Sequence, residues 1–236
     1  GGSLGRREAT GRGVMIVTRE AATHLGLDIR QATVAVQGFG NVGSVSADLL
    51  AKIGAKVVAV TDWKGGVYNP KGLDVPRLLG YARDQNTIAG FPDADPLPTD
   101  QLWSLGVDIL IPAALENQIT MANAPEIKAK IITEGANGPT TPDAHRYLHE
   151  HGVFVIPDIL ANSGGVTTSY FEWVQDRHGY FWEEEEVNTR LEKKMRVAFD
   201  AVLKTSLRYK VDLRTAAYIV AIQRVGTVTK MRGMYA

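Results

Sequence analysis

The sequence predicts an α/β fold, a doubly wound and mostly parallel sheet with a helical C-terminal extension, on three observations. Five short β-branched apolar runs recur between residues 33 and 157, separated by stretches of helical period. A G-x-G-x-x-G follows the first run directly. Beyond Pro157 the texture changes, and the chain reads almost wholly as helix.

The runs are TVAVQ (33–37), KVVAV (56–60), VDILI (107–111), KIITE (130–134) and VFVIP (153–157). Successive strand side chains point to opposite faces, and here nearly all are apolar. Both faces must therefore be covered, as in a parallel sheet with helices on each side. GFPDADPLPTDQ at 90–101, rich in proline and acid, reads as a surface loop. Gly179 and YKVD at 209–212 divide the helical part into segments near 158–178, 183–209 and 212–232. In the middle segment Val187, Leu191, Met195, Ala198 and Val202 fall on one face. Glu183 to Glu186 open it as a solvated first turn that complements the helix dipole. The last segment carries Ala216, Ala217, Ile219, Val220, Ile222 and Val225, more apolar surface than a solvated helix needs, so incomplete packing is expected there. No repeat, low-complexity tract or linker interrupts the chain, and residues 1–236 read as one domain with a helical extension from about 158.

Composition excludes several classes of function. The 236 residues, 44% of them hydrophobic, suffice for a sizeable core. Lys plus Arg equal Asp plus Glu at 26 each, so no overall field draws the chain to nucleic acid or an anionic membrane. The absence of cysteine removes disulfides, thiolate catalysis and Cys-ligated metal, and fits a reducing compartment. No apolar run is long enough to span a bilayer and the start lacks a signal-peptide core, which makes the cytoplasm the default expectation. His145 and His149 have a spacing that two metal ligands on one helical face could use, but no third ligand accompanies them; a solvated face and no metal are expected.

In QGFGNVG the glycines are Gly38, Gly40 and Gly43, between a strand and a helix that begins at Asn41 and Val42. In a Rossmann-like unit the first glycine makes the tight turn, the second lets backbone approach a pyrophosphate, and the third lets the helix pack on the strand. The free N–H groups of the helix then face the phosphates. Asp62 stands nineteen residues after Gly43, where a carboxylate can accept from the adenosine ribose. A carboxylate there repels a 2′-phosphate and favours NAD; Lys64, two residues on, could neutralise that phosphate and leaves NADP open. The alternative, glycines for turn geometry alone with Asp62 as a turn residue, requires each coincidence to be accidental.

Seven strings, GGSLGRREATGRG, QGFGNVG, GGVYNPKG, IPAALENQIT, TEGANGPTTPDA, ILANSGGVTTSYFEWVQD and LRTAAYIVAIQRV, together resemble the cofactor-binding domain of the glutamate dehydrogenases of the Glu/Leu/Phe/Val dehydrogenase family. The resemblance implies Thr10 at the nicotinamide carboxamide, Ala113 and Ala114 beside the cofactor, and Asn137 near the nicotinamide ribose, with Asn162 also on the cofactor side. It places Val166 and Ser169 toward substrate, and a serine at that position implies L-glutamate, exchanged with 2-oxoglutarate, over branched or aromatic amino acids. A substrate domain bearing the catalytic lysine and aspartate precedes the matching region in the family, so no catalytic residue is assigned here. A homo-hexamer is implied. A stand-alone dinucleotide module and a leucine or valine dehydrogenase are the competing readings. If 162–173 is one helix, Asn162, Val166, Ser169 and Trp173 form one stripe. Packing against the sheet is an equal reading for Val166 and Trp173. Gly164 and Gly165 each cost the helix about 1 kcal/mol and imply a close backbone approach. Ser163 stands where the family usually has alanine.

Overall fold

In a computed structural model that describes residues 1–233, the elements run α1 (Ala9–His24), β1 (Thr33–Gln37), α2 (Asn41–Lys52), β2 (Lys56–Thr61), β3 (Gly66–Tyr68), α3 (Val75–Gln85), β4 (Asp95–Leu97), β5 (Ile109–Pro112), β6 (Ile131–Thr133), α4 (Pro142–Glu150), β7 (Phe154–Ile156), α5 (Asp158–Ala161), α6 (Gly164–His178), α7 (Glu184–Tyr209) and α8 (Leu213–Arg232). One seven-stranded sheet has the order β4-β3-β2-β1-β5-β6-β7. β1 pairs in parallel with both β2 and β5, so the chain reverses its direction of winding there and leaves a crevice at the carboxyl ends of β1 and β5.

Alternation along the strands divides the core. Val34, Val36, Ile109, Ile111 and Ile131 face α1, α2 and the α6–α8 layer. Ala35, Leu110 and Ile132 face the opposite side, where α4 and short 3-10 turns cover the sheet. All five expected runs are strands, β1 with the expected ends and the others with ends displaced by at most two residues. β3 and β4 were not legible, and β4 lies inside the stretch expected to be loop. Both are three-residue antiparallel edge strands, too short for a periodic signal, and an edge tolerates Pro96 because no donor is missed there.

The helix expected over 158–178 is two helices. Asn162 caps α5, the Ser163 hydroxyl donates to the Leu160 carbonyl (2.7 Å), and α6 starts at Gly164. A Cβ on Gly164 would lie 2.2 Å from the carbonyl oxygen of Ala9, so the close approach that these glycines permit is that of α1. In α7 the buried face is Val187, Leu191, Met195, Phe199 and Val202; Phe199 rather than Ala198 fills the fourth place because it reaches the core. Glu183 to Glu185 are exposed as expected. α8 buries only Leu213, Ala216 and Ala217, while Ile222 and Val225 are each 67% exposed. No described helix is long and apolar enough to cross a membrane.

His145 corrects an expectation. It is not on a solvated face but buried, with Nε2 2.9 Å from Oδ1 of Asp212, the residue that caps the start of α8. His149 is exposed, and no cluster of three potential metal ligands occurs among the described residues. Asp212 also caps α8 through the backbone N–H and hydroxyl of Thr215. Burial pushes its pKa up, but the Thr215 bonds and His145 outweigh that and hold it well below the usual carboxylate range. A depressed carboxylate contributes stability that is complete above its unfolded value, near pH 4, and lost as the pH falls toward the folded value. Asp212→Ala should destabilise the chain by about 1–2 kcal/mol at pH 7 and flatten the stability loss below pH 4, read by urea titration across pH.

Candidate functional site

The crevice at the carboxyl ends of β1 and β5 opens into a long cleft with two halves that share Ala113, Ala114 and Leu115 as a common wall. Gly38 ends β1 with φ +90°, a left-handed conformation that favours glycine, and a Cβ there would also sit 2.9 Å from the Ala113 carbonyl oxygen. Gly43 lies against this turn: its Cβ would come within 1.9 Å of the Gly38 carbonyl oxygen. Gly40, by contrast, has nothing within 4 Å on its Cβ side and caps α2 with no side-chain bond. The first-turn N–H groups of α2 thus lack a side-chain acceptor beside an open surface, the donor set and space that a pyrophosphate needs.

One half of the cleft is lined by Gly38, Gly40, Asp62, Trp63, Asn86 to Ile88 and Trp103. Asp62 is heavily committed. Its Oδ1 accepts the N–H groups of Lys64 (2.8 Å) and Gly65 (3.1 Å), and Oδ2 accepts the Thr87 hydroxyl (2.7 Å) and the Ile88 N–H (2.8 Å). Four donors occupy about the full acceptor capacity of a carboxylate, so Asp62 pins two loops to the cleft edge besides presenting charge there. Trp63 is 79% exposed beside it.

Thr10, Val42, Asn137, Asn162, Val166 and Ser169 line the other half, with Gly135, Ala136 and Arg6. Asn162 Nδ2 donates to Asn137 Oδ1 (2.6 Å), joining the end of α5 to the loop after β6. Val166 is exposed toward the cleft rather than packed on the sheet, and Trp173 lies outside it, stacked on Tyr170. The expected stripe is therefore assembled from two helices. Asn41 and Gly43 are not in the lining: the Asn41 amide donates to the Arg7 carbonyl (3.0 Å), and Gly43 sits behind the turn.

The chain matches the model of the Glutamate/Leucine/Phenylalanine/Valine dehydrogenase family over residues 1–233. The chain belongs to that family. It is 54% identical over its whole length to a glutamate dehydrogenase of Thermotoga maritima and 47% identical to an NAD-specific glutamate dehydrogenase of Clostridioides difficile, covering 57% of each. Among solved structures, it superposes on the hetero-hexameric glutamate dehydrogenase of Thermus thermophilus in a Leu-bound form with a TM-score of 0.93 at 38% identity, covering all of this chain and 56% of that one. The glutamate dehydrogenase of Peptoniphilus asaccharolyticus gives 0.87 at 41% identity, covering 99% and 55%. The chain thus spans little more than half the length of these relatives.

Within this dehydrogenase-family cleft, two features escaped sequence reasoning. Arg6 Nε–H is shared between Ser169 Oγ (3.0 Å) and Glu172 Oε2 (3.1 Å), which puts a guanidinium beside the serine. Its place in GGSLGRREATGRG was the available signal, four residues before Thr10. The second is a charged network behind the cleft. Glu134, fully buried at the end of β6, accepts the Asp158 N–H (2.8 Å) and the Arg214 guanidinium; Arg214 also donates to Asp158 Oδ1 (2.9 Å). Burial disfavours the charged guanidinium, but Glu134 and then Asp158 outweigh it and raise its pKa.

Proposed function

We propose that residues 1–236 form the NAD-binding domain of a glutamate dehydrogenase that oxidatively deaminates L-glutamate to 2-oxoglutarate and ammonia. The observation that carries this reading is the uncapped α2 N-terminus facing the open side of Gly40, in a chain of this family. The pyrophosphate lies on that helix end, the adenosine toward Asp62 and Trp63, and the nicotinamide half toward Thr10, Asn137 and Asn162. Bound nicotinamide supplies the hydride acceptor; this chain holds and orients it. Arg6 and Ser169, a cation and a hydroxyl at one end of the cleft, suit the distal carboxylate of glutamate better than an apolar side chain. NAD-specific naming of the relatives supports the same cofactor, and a hexamer is the assembly that the family suggests.

Calorimetric titration with NAD and NADP tests the cofactor assignment. Asp62→Ser should weaken NAD about tenfold, as expected from losing charged hydrogen bonds of about 1.5–3 kcal/mol that hold the Lys64 and Thr87 loops at the adenosine side, and shift the preference toward NADP by removing the repelling charge. A ratio of the two affinities that does not move would take Asp62 off the ribose and leave it as the pin of the Lys64 and Thr87 loops. No binding of either dinucleotide to the wild type would overturn the reading itself.

A further inference from the structure

Arg214 is in the first turn of α8, where the helix dipole disfavours a cation. It is absent from the cleft lining, yet it is 23% exposed at the side chain and bonded to two carboxylates from different parts of the chain. Both carboxylates hold backbone adjoining the cleft. Asp158 Oδ2 accepts the N–H of Gly138 (2.8 Å), whose φ of +55° closes the Gly135–Gly138 loop, and Asp158 opens α5, whose cap is Asn162. Glu134 directly precedes that loop and accepts the Asp158 N–H. Asn137 on the loop and Asn162 on the cap then meet at 2.6 Å on the cleft wall.

We infer that Arg214 is a positioning residue for the nicotinamide half of the cleft: from α8 it locks Glu134 and Asp158 together, and through them fixes the Gly135–Gly138 loop and the Asn137–Asn162 pair. This rests on the dinucleotide reading of the cleft. Without the guanidinium, two carboxylates face each other behind the loop, one of them fully buried, and their separation moves Gly138 and the α5 cap. The adenosine half stands apart, since its lining residues bond neither carboxylate.

The test compares NAD with ADP, which carries the adenosine and pyrophosphate without the nicotinamide half, by calorimetry on the full-length protein. In Arg214→Met the advantage of NAD over ADP should shrink at least tenfold while ADP affinity stays within twofold of wild type; Arg214→Lys, which reaches one carboxylate, should lose part of that advantage. A purely structural role would weaken both ligands together or lower the melting temperature with the ratio intact, and either result overturns the inference. Should Arg214→Met not fold, Arg214→Lys decides: an unchanged ratio is a refutation. Wild-type protein that binds neither ligand instead refutes the dinucleotide reading, and one that binds ADP as tightly as NAD refutes the positioning role alone.

Discussion

Purified residues 1–236 should bind NAD in a calorimeter and produce no NADH with L-glutamate. Binding needs only the Gly38–Gly43 turn, the start of α2 and the adenosine-side lining, all carried by the first part of the sheet. Turnover also needs substrate held against the nicotinamide at reacting distance, and that orientation is worth roughly 7–11 kcal/mol of barrier. Here the substrate end is a single open wall: Val166 is 69% and Leu115 64% exposed. Among the described residues neither lysine nor histidine lines that half, so the proton transfers that contribute roughly 10²- to 10⁴-fold each find no amine or imidazole there. Absorbance of reduced nicotinamide should stay flat over hours at millimolar glutamate. Sustained glutamate-dependent reduction by these residues alone would overturn this division of labour and direct attention to Glu116, the carboxylate on that wall.

Gly43→Ala should abolish NAD binding and destabilise the fold, whereas Gly40→Ala should abolish or greatly weaken binding with the fold intact. At Gly43 the new methyl carbon falls 1.9 Å from the Gly38 carbonyl oxygen, a backbone atom, so α2 must lift away from β1. Overpacking of this kind costs about 1–3 kcal/mol, and displacing the helix end also misaims the N–H groups that face the pyrophosphate. At Gly40 a methyl group meets nothing in the protein and φ is −74°, so folding tolerates it; the methyl group fills the space that a phosphate would use. Urea titration paired with NAD calorimetry separates the two effects. Equal stability losses in both variants, or retained binding in Gly43→Ala, would mean that the turn is not the phosphate cradle.

Local pattern carried much of this. TVAVQ, KVVAV and the three later runs read as strands because residues buried on both faces are apolar without interruption, a signal contained in four or five neighbours. The turn was legible for the same reason, since the positive φ of Gly38 and the contact of Gly43 with the Gly38 carbonyl are set within a few residues, whereas the approach of Ala113 to Gly38 is not. β3 and β4 were hidden because three-residue edge strands depend on a neighbouring strand and not on their own period. The break at Asn162 was missed because it is set by the crossing of α1 at Gly164, which no helical wheel displays.

The candidate site divides along the same line. Family membership, the glycine turn and the acidic residue after the second strand were legible in sequence alone, as were Asn162 and Ser169 as polar residues of one cleft, since each lies in a short string whose residue types suffice. Only tertiary structure decided that Arg6 meets Ser169 across 163 positions, that Asp62 is filled by donors from Lys64 through Ile88, that His145 is buried against Asp212, and that Arg214 joins Glu134 to Asp158. The physical reason is range. Backbone conformation and phosphate binding at a helix end depend on consecutive residues, whereas the partner of a side-chain charge is whichever group the packing of sheet and helices brings within about 3 Å, and sequence distance places no limit on that.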